Sequence, residues 1–337
     1  KSEMKKNNQK VSIIVLNYNG SDFLEKCIQS IKKQTYSNLE IIVVDNNSTD
    51  GSIKRLKKQK NIRLIINRHN YGYSKANNIA ARQSTGDLLL FLNNDTELDP
   101  SFIDYLVKKY KKNTLLAPKQ LPLNPHDDRE MILCGNGADL FGYAYDIKGD
   151  PNKLFFVDGA ALFISRKNFF SLGGFDEKLF MFQEDLDLCW RAHLYGLNIK
   201  QSPKSIIYHY GGGAAPFGSG HSNRYTTTFF RRYHNEKNVI RNLLKNYSLP
   251  ILIPILTLLL IIHLFEIVYL LFTGNLKIVK CYFDAYLWNL ENLGDTLRFR
   301  HEIQSKRTIS DLQILRRMQP SYYKLIAVFR YGRPHFK

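Results

Sequence analysis

The 337-residue chain is poor in cysteine and short of acid. Its four cysteines, Cys27, Cys134, Cys189 and Cys281, are scattered without any Cys-x-x-Cys spacing. That pattern excludes a disulfide framework and a zinc site, and points to a reducing compartment. Against 48 Lys and Arg stand only 30 Asp and Glu, a net charge of +18. Such an excess favours an anionic partner: nucleic acid, a phosphorylated ligand or lipid headgroups. Neither Gly-x-Gly-x-x-Gly nor Gly-x-x-x-x-Gly-Lys-Ser/Thr occurs, so the two commonest phosphate-cradling loops are missing. Residues 1–10 are polar and basic, with no apolar signal-peptide core, so the first domain is expected to stay cytosolic. An apolar fraction of 44% excludes a disordered chain, and the length suits one large domain with an appendage, or two domains.

What the chain does contain is a succession of short apolar runs, each stopped by polar residues. Residues 11–16 end at Asn17-Tyr18-Asn19-Gly20, and residues 39–44 at Asp45-Asn46-Asn47. Residues 62–66 end at Asn67-Arg68-His69-Asn70, and residues 88–92 at Asn93-Asn94-Asp95. Uninterrupted apolar runs of this length fit strands buried on both faces of a parallel sheet. Between them lie helical patterns. Ser21-Asp22 offers a cap for Phe23, Cys27, Ile28 and Ile31; a short helix carries Lys54, Arg55, Lys57 and Lys58 outward; Ser74 offers a cap for Ala76, Asn77, Ile79, Ala80 and Ala81. This alternation predicts a mostly parallel α/β sheet with right-handed crossovers. It also carries Asn17, Asp45, Arg68 and Asp95 to one rim, where such sheets bind ligands.

Taken alone, the turn at Asp95 has two readings: a ligand site, or Asn and Asp used for their own backbone hydrogen bonds. Carboxylates repel a diphosphate unless a hard divalent cation bridges the two. Asp45 has a second use, as acceptor from a nucleobase or ribose.

Downstream, Phe102, Ile103, Leu106 and Val107 mark a helix, and residues 118–125 are punctuated by proline. Residues 155–164 predict a strand broken at Asp158-Gly159. Glu184, Asp185 and Asp187 open a helix, where its dipole favours negative charge. Leu186, Cys189, Trp190, His193 and Leu194 form the apolar side of that helix, and Gly196 is its expected C-cap. The three acids are capping residues or chemistry. Residues 206–213 predict a short strand running into a glycine loop, with His209 either structural or a ligand.

Together these segments resemble a family 2, GT-A-fold inverting glycosyltransferase. The matching pieces are Val-Ser-Ile-Ile-Val-Leu-Asn-Tyr-Asn-Gly at 11–20, Ile-Val-Val-Asp-Asn-Asn-Ser-Thr-Asp-Gly at 42–51 and Asn-Tyr-Gly-Tyr-Ser-Lys-Ala-Asn-Asn at 70–78. Asn93-Asn94-Asp95 stands at the family's Asp-x-Asp position, followed by Gly173-Gly174-Phe175-Asp176, the 184–191 segment and His209. The resemblance covers residues 10–215 in family order, and is nearest to the rhamnosyltransferase-like branch that builds surface polysaccharides. It implies that Asp45 recognises the nucleotide, with Asn17, Asn19, Asn47, Arg68, Asn77, Asn93 and Asn94 in the same nucleotide-sugar pocket. It implies that Asp95 holds Mg²⁺ or Mn²⁺ against the donor diphosphate, with His209 as a further ligand. Asp185 would be the general base towards the acceptor hydroxyl, with Glu184 as second choice. Asn93 departs from the family pattern: a carboxylate is missing there, which weakens metal binding.

From residue 204 to 250 there are seven Lys or Arg and one acid, Glu236, interleaved with Tyr225, Phe229, Phe230, Tyr233 and Tyr247. Basic and aromatic residues together suit single-stranded nucleic acid or a membrane interface. Residues 249–274 are nearly all apolar, broken by Pro250, Pro254, His263 and Glu266. They are long enough to cross a bilayer, but a re-entrant hairpin or a partly embedded helix accounts for the interruptions as well. Residues 282–297 suit an amphipathic helix on a membrane.

The expected organisation is a catalytic domain at 1–215, a basic aromatic juxtamembrane or acceptor segment at 216–248, and a helical membrane-associated region at 249–337. The function implied is hexosyl or rhamnosyl transfer, metal-dependent, from a nucleotide-diphospho-sugar to a lipid-linked or growing glycan acceptor. It would take place at the cell membrane with the catalytic domain on the cytoplasmic side, against membrane lipids, without nucleic acid, and with a homo-oligomer left open. Competing classes are a nucleic-acid-binding protein, a non-catalytic membrane scaffold that retains the fold, and a sugar nucleotidyltransferase.

Overall fold

The computed structural model of the protein describes residues 9–123, 135–145, 147, 150, 153–210 and 226–336. The expected alternation runs through β1 (Val11–Asn17), α1 (Leu24–Lys32), β2 (Leu39–Asp45), α2 (Ser52–Leu56), β3 (Arg63–Ile66), α3 (Gly72–Gln83) and β4 (Leu88–Asn93). Then come β5 (Thr96–Leu98), α4 (Phe102–Lys109), β6 (Thr114–Pro122), β7 (Gly137–Ala138), β8 (Ala144–Tyr145), β9 (Ala161–Ser165), α5 (Arg166–Ser171), α6 (Glu184–Leu194) and β10 (Asn198–His209). The C-terminal part is β11 (Thr226–Thr227), α7 (Phe229–Asn246), α8 (Leu249–Phe272), α9 (Leu276–Glu291), α10 (Leu293–Ser305), α11 (Asp311–Leu315), α12 (Tyr323–Tyr331) and β12 (His335–Phe336).

Eight strands form one sheet in the order β3-β2-β1-β4-β9-β6-β10-β5. β1, β2, β3 and β4 pair in parallel, as do β6 and β10, while β9 and β5 enter antiparallel. The strands have the two-sided burial their sequences predict. Val11, Ile13, Val15, Leu88, Leu90 and Leu92 pack on α1 and α4, whereas Ile14, Leu89 and Phe91 face α3 and α6. The second core does not stop at residue 215. Val239 and Leu243 of α7, Tyr247 just after it, Leu252 and Leu259 of α8, Ile303, Ile314 and Met318 belong to the same apolar cluster.

Several local expectations are corrected. Ser21 and Ser74 do not cap helices: α1 begins after Phe23, and Ser74 is buried within the first turn of α3. Asn70 does that work instead, its Oδ1 accepting from the Gly72 amide at 2.9 Å. The strand expected over 155–164 forms only beyond the Asp158-Gly159 break, as β9. β10 starts eight residues earlier than the strand expected at 206, because Asn198–Ser202 also pairs with β6 before a bulge at Ser202/Ile206. Residues 249–272 form one continuous helix, not a hairpin. Pro250 lies in its first turn, where amides have no intrahelical partner, and Pro254 removes one bond close to the start. Gly196 closes α6 as expected, at φ 76°, with Leu197 and Gly196 amides returning to Ala192 and His193. The glycine loop at 211–213, Arg224, Tyr225 and Cys134 lie outside the described residues.

Candidate active site at the carboxyl rim of the sheet

The parallel strands β1, β2 and β4 end at the same edge, so their terminal polar residues meet there. Asn17 is the hub: its Nδ2 donates to Asp45 Oδ1 at 2.7 Å and to Ser52 Oγ at 3.0 Å. Its Oδ1 accepts from Asn94 Nδ2 at 2.8 Å. Asp45 is fully buried and also accepts from the Ser48 amide at 2.9 Å and the Ser48 hydroxyl at 2.7 Å. Buried groups without water need such partners. Gly20 is required beside this chain, because a Cβ there would lie 1.9 Å from Asn94 Nδ2 and 2.7 Å from Asn17 Oδ1.

Asn19 and Asn47 are exposed and left-handed, with φ 50° and 66°. Asn19 Oδ1 accepts from the Thr49 amide at 2.8 Å, so the loops after β1 and β2 brace each other. Arg68 is exposed beyond β3. Asn77 is buried within α3, where its Nδ2 donates to the Tyr73 carbonyl at 3.0 Å and its Oδ1 has no partner. The structure thus joins Asn17, Asp45 and Asn94 by hydrogen bonds, and sets Arg68 and Asn77 apart from that chain.

At the end of β4, Asp95 is 5% exposed and its Oδ1 lies 3.2 Å from His209 Nε2. The other ring nitrogen of His209 is bonded to Gln120 Nε2. The antiparallel β5–β10 register, with His209 opposite Thr96, creates this meeting of residues 114 apart. Among the described residues no group of three or more His, Cys, Asp and Glu could enclose a metal. A carboxylate beside an imidazole is nevertheless a donor pair of the kind Mg²⁺ or Mn²⁺ accepts, since such ions keep few protein ligands.

Asp185 sits on the first turn of α6, partly exposed. Its Oδ2 accepts from the Gly159 amide at 2.8 Å and its Oδ1 from the Leu186 amide at 2.7 Å. Burial, then the negative charge of Asp158, pushes its carboxyl up to about 7. Glu184 is more deeply buried, its Oε2 has no partner, and burial and Asp185 raise it further. The neighbouring residue Ala160 accepts from the Asn93 amide at 3.0 Å, so the Asp185 loop is stitched directly to the end of β4. Tyr73, from the 70–78 segment, donates to the Gly159 carbonyl at 2.8 Å. Asp158, Gly159 and Tyr73 were not among the residues singled out from sequence. Asp158-Gly159 registered only as a strand break, and the break itself was the signal.

Preceding α6, Phe180, Phe182 and Gln183 all have left-handed φ, 65°, 67° and 67°. Non-glycine residues there carry strain of roughly 1–2 kcal/mol each. Helix α7 holds this loop: Asn238 Nδ2 donates to the carbonyls of Leu179, Met181 and Phe182 at 3.0, 2.9 and 2.7 Å, and Lys237 Nζ to that of Lys178 at 3.0 Å. The basic residues of α7 turn inward. Arg241 pairs with Asp176 at 2.7 Å and with Asp295 at 2.7 Å, Lys245 with Asp176 and Asp187, and Arg232 with Glu236. Asp176 of the Gly-Gly-Phe-Asp segment is therefore a buried anchor for α7, its carboxyl held well below the usual range despite burial by Lys245 and Arg241.

Residues 12–168 match the family model Glycosyl transferase family 2. The O-antigen biosynthesis protein RfbC of Myxococcus xanthus is 31% identical over 222 residues, 60% of this chain and 17% of that protein. The low-salt glycan biosynthesis hexosyltransferase Agl10 of Haloferax volcanii is 28% identical over 205 residues, 57% of this chain and 64% of that protein. The chain thus spans less than two thirds of either relative. In fold it is similar to the mannosyltransferase PcManGT from Pyrobaculum calidifontis, solved with GDP-Man and Mn²⁺: TM-score 0.51, 16% identity, 88% of this chain and 86% of that one. The strand order and the polar rim agree with the sequence match: residues 12–168, just under half of the chain, are similar to glycosyl transferase family 2, and the chain has a GT-A-like α/β fold.

Proposed function

We propose that this protein is an inverting glycosyltransferase, of the rhamnosyltransferase-like branch, acting in surface polysaccharide or glycan assembly. It moves a hexosyl or rhamnosyl group from a nucleotide-diphospho-sugar to a lipid-linked or growing glycan acceptor. One observation carries this reading: Asp185 and Asp95 belong to segments stitched together through Gly159, Ala160 and Asn93. This contact supports reading Asp185 as the base and Asp95 as the carboxylate that faces the diphosphate. The relatives in O-antigen and glycan biosynthesis support the pathway class.

The buried Asp45, oriented by Asn17 and Ser48, faces the nucleotide, with Asn19, Asn47 and Arg68 as exposed loop residues able to close over it. Asp95 and His209 would hold Mg²⁺ or Mn²⁺, which supplies charge neutralisation to the departing diphosphate. Asp185 accepts the proton of the acceptor hydroxyl while that oxygen bonds to the anomeric carbon. The bond from carbon to diphosphate oxygen breaks on the opposite face, so configuration inverts. Glu184 is the poorer candidate, since its carboxyl is more enclosed than that of Asp185 and its burial, with Asp185 beside it, disfavours the ionised form a base needs. The apolar α8 supports a place at the membrane, and the proposal puts the catalytic domain on its cytoplasmic side. A nucleic-acid partner is disfavoured, because Arg232, Arg241 and Lys245 are spent on internal carboxylates.

The test is a sugar-transfer and donor-hydrolysis assay across nucleotide sugars, with and without Mn²⁺. Activity should require the divalent ion and fall by at least about a hundredfold in both Asp95→Ala and Asp185→Asn. Full activity in both variants would overturn the assignment.

A further inference from the structure

Helix α8 has an unusual division of its surface. Its residues Leu252, Leu259, His263 and Leu270 are buried, at spacings of 7, 4 and 7, so one stripe touches protein from the first turn to the last. Leu252 and Leu259 join the cluster with Tyr247 and Met318, and Leu270 packs on Ile278 and Tyr282 of α9. Both polar interruptions turn inward. His263 bonds to Tyr286 at 2.7 Å and Tyr143 at 3.2 Å. Glu266 takes Lys324 at 2.8 Å, Tyr322 at 2.9 Å and Tyr282. The outward side is then uncharged and almost wholly apolar, with only the hydroxyls of Thr257 and Tyr269 among Leu260, Leu264, Phe265 and Phe272, the last 88% exposed. The hairpin partner α9 exposes Leu276, Phe283, Leu287 and Leu290 on one face. Patches of this extent do not stay in water.

We infer that the α8–α9 hairpin is an in-plane membrane surface, embedded to about side-chain depth in one leaflet of an anionic bilayer, and that α8 does not cross. A crossing would have to draw α7 in with it, together with buried Arg232, Glu236, Lys237, Arg241 and Lys245, at several kcal/mol for each ionised group not perfectly paired. Charge decides the occupant. The net charge is +18; Lys277 and Lys280 are exposed at the start of α9 and Arg298 on the adjoining α10, Lys280 beside Asp284 and Arg298 beside Asp295, so a second copy would bring two strongly positive chains together while acidic headgroups would neutralise the excess. An apolar groove of about 490 Å³ opens at the start of α8, lined by Leu140, Ile251, Pro254, Ile255 and Met318 with Arg316 at its edge. It suits one lipid chain beneath an anionic head. This rests on the membrane location proposed above, and its test needs no transferase assay.

The full chain, purified in detergent, is mixed with vesicles of phosphatidylcholine alone or with phosphatidylglycerol, and floated on a density gradient. It should float with the anionic vesicles, and Leu264→Asn with Phe265→Asn should weaken partitioning by at least about tenfold while circular dichroism is unchanged. Sidedness is read with an impermeant maleimide on Lys200→Cys, in the catalytic body, and Lys306→Cys, exposed at the end of α10 beyond the hairpin. On sealed vesicles both should react equally, above the labelling of the unsubstituted chain. Protection of Lys306→Cys alone would mean that α8 crosses, and would overturn the inference. So would absence of flotation on either vesicle, or a stable dimer in solution that the same two Asn substitutions dissociate.

Discussion

Removing the Asn238 amide should impair turnover without touching donor affinity. Asn238 has two N–H groups and serves three carbonyls, those of Leu179, Met181 and Phe182. Two full-strength bonds at about 1 kcal/mol each give a net contribution of ~2 kcal/mol. The loop they hold contains left-handed Phe180, Phe182 and Gln183, whose strain is roughly 3–6 kcal/mol in sum. The remaining restraints are the Lys237 and Asn242 contacts and the Phe180 carbonyl accepting from Tyr73 at 2.6 Å. With Asn238→Leu, of similar volume but no donor, strain and restraint are closely matched, and the loop has a reason to relax. Asp185 follows within three residues, and a displacement of about 1 Å at a base lowers rate by roughly a hundredfold. The expected result is kcat down by about tenfold to a hundredfold, donor Kd by nucleotide titration within about twofold, and Tm lower by a few degrees. Leu243→Ala, on the same helix and fully buried, is the control: it should lower Tm at least as much and leave kcat nearly unchanged well below Tm. Equal kcat losses in the two variants, or none in Asn238→Leu, would refute the positioning role.

As the proposed base Asp185 would have to be ionised, and its carboxyl is raised to about 7 by burial and Asp158, so kcat/KM should climb as pH rises through about 7. Asp158→Asn removes the nearby negative charge and should move that acidic limb to lower pH in a pH–rate profile. Gly20→Ala puts a methyl 1.9 Å from Asn94 Nδ2, and should break the Asn94–Asn17–Asp45 chain and weaken donor binding by about tenfold or more in a nucleotide titration. Asp176→Ala leaves Arg241 and Lys245 buried without their shared carboxylate, and should cost about 3–5 kcal/mol in denaturant unfolding. Because the Asp176 carboxyl is depressed, its stabilisation is complete above the ordinary carboxylate range and lost as pH falls below it, so the variant's deficit should shrink in acid.

Particular residues mark how far sequence reaches. Leu88 to Leu92 could only be a two-sided buried strand, and the polar stops after residues 16, 44 and 92 located the rim, because strand termination is a local property. Helix caps were misassigned at Ser21 and Ser74, since a Ser near a helix start is a cap only if the backbone turns there. Asp158 and Gly159 were passed over for the same reason: their importance lies in a contact with Asp185, 26 residues on.

The basic residues of α7 show the limit from the other side. Composition and charge alone pointed Arg232, Arg241 and Lys245 at an anionic partner, and the partner proved to be Asp176, Asp187, Asp295 and Glu236 within the same chain. Sequence by itself determined the alternation of strands and helices, the acids and amides at the strand ends, and the long apolar stretch after residue 248, though not that it is one continuous helix. Those follow from periodicity and from the chemistry of neighbours along the chain. Tertiary structure alone decided that His209 meets Asp95, that Glu266 hides from the apolar face of its helix, and that an asparagine on α7 holds the loop before Asp185. Each depends on pairings between distant segments, whose register no local pattern encodes.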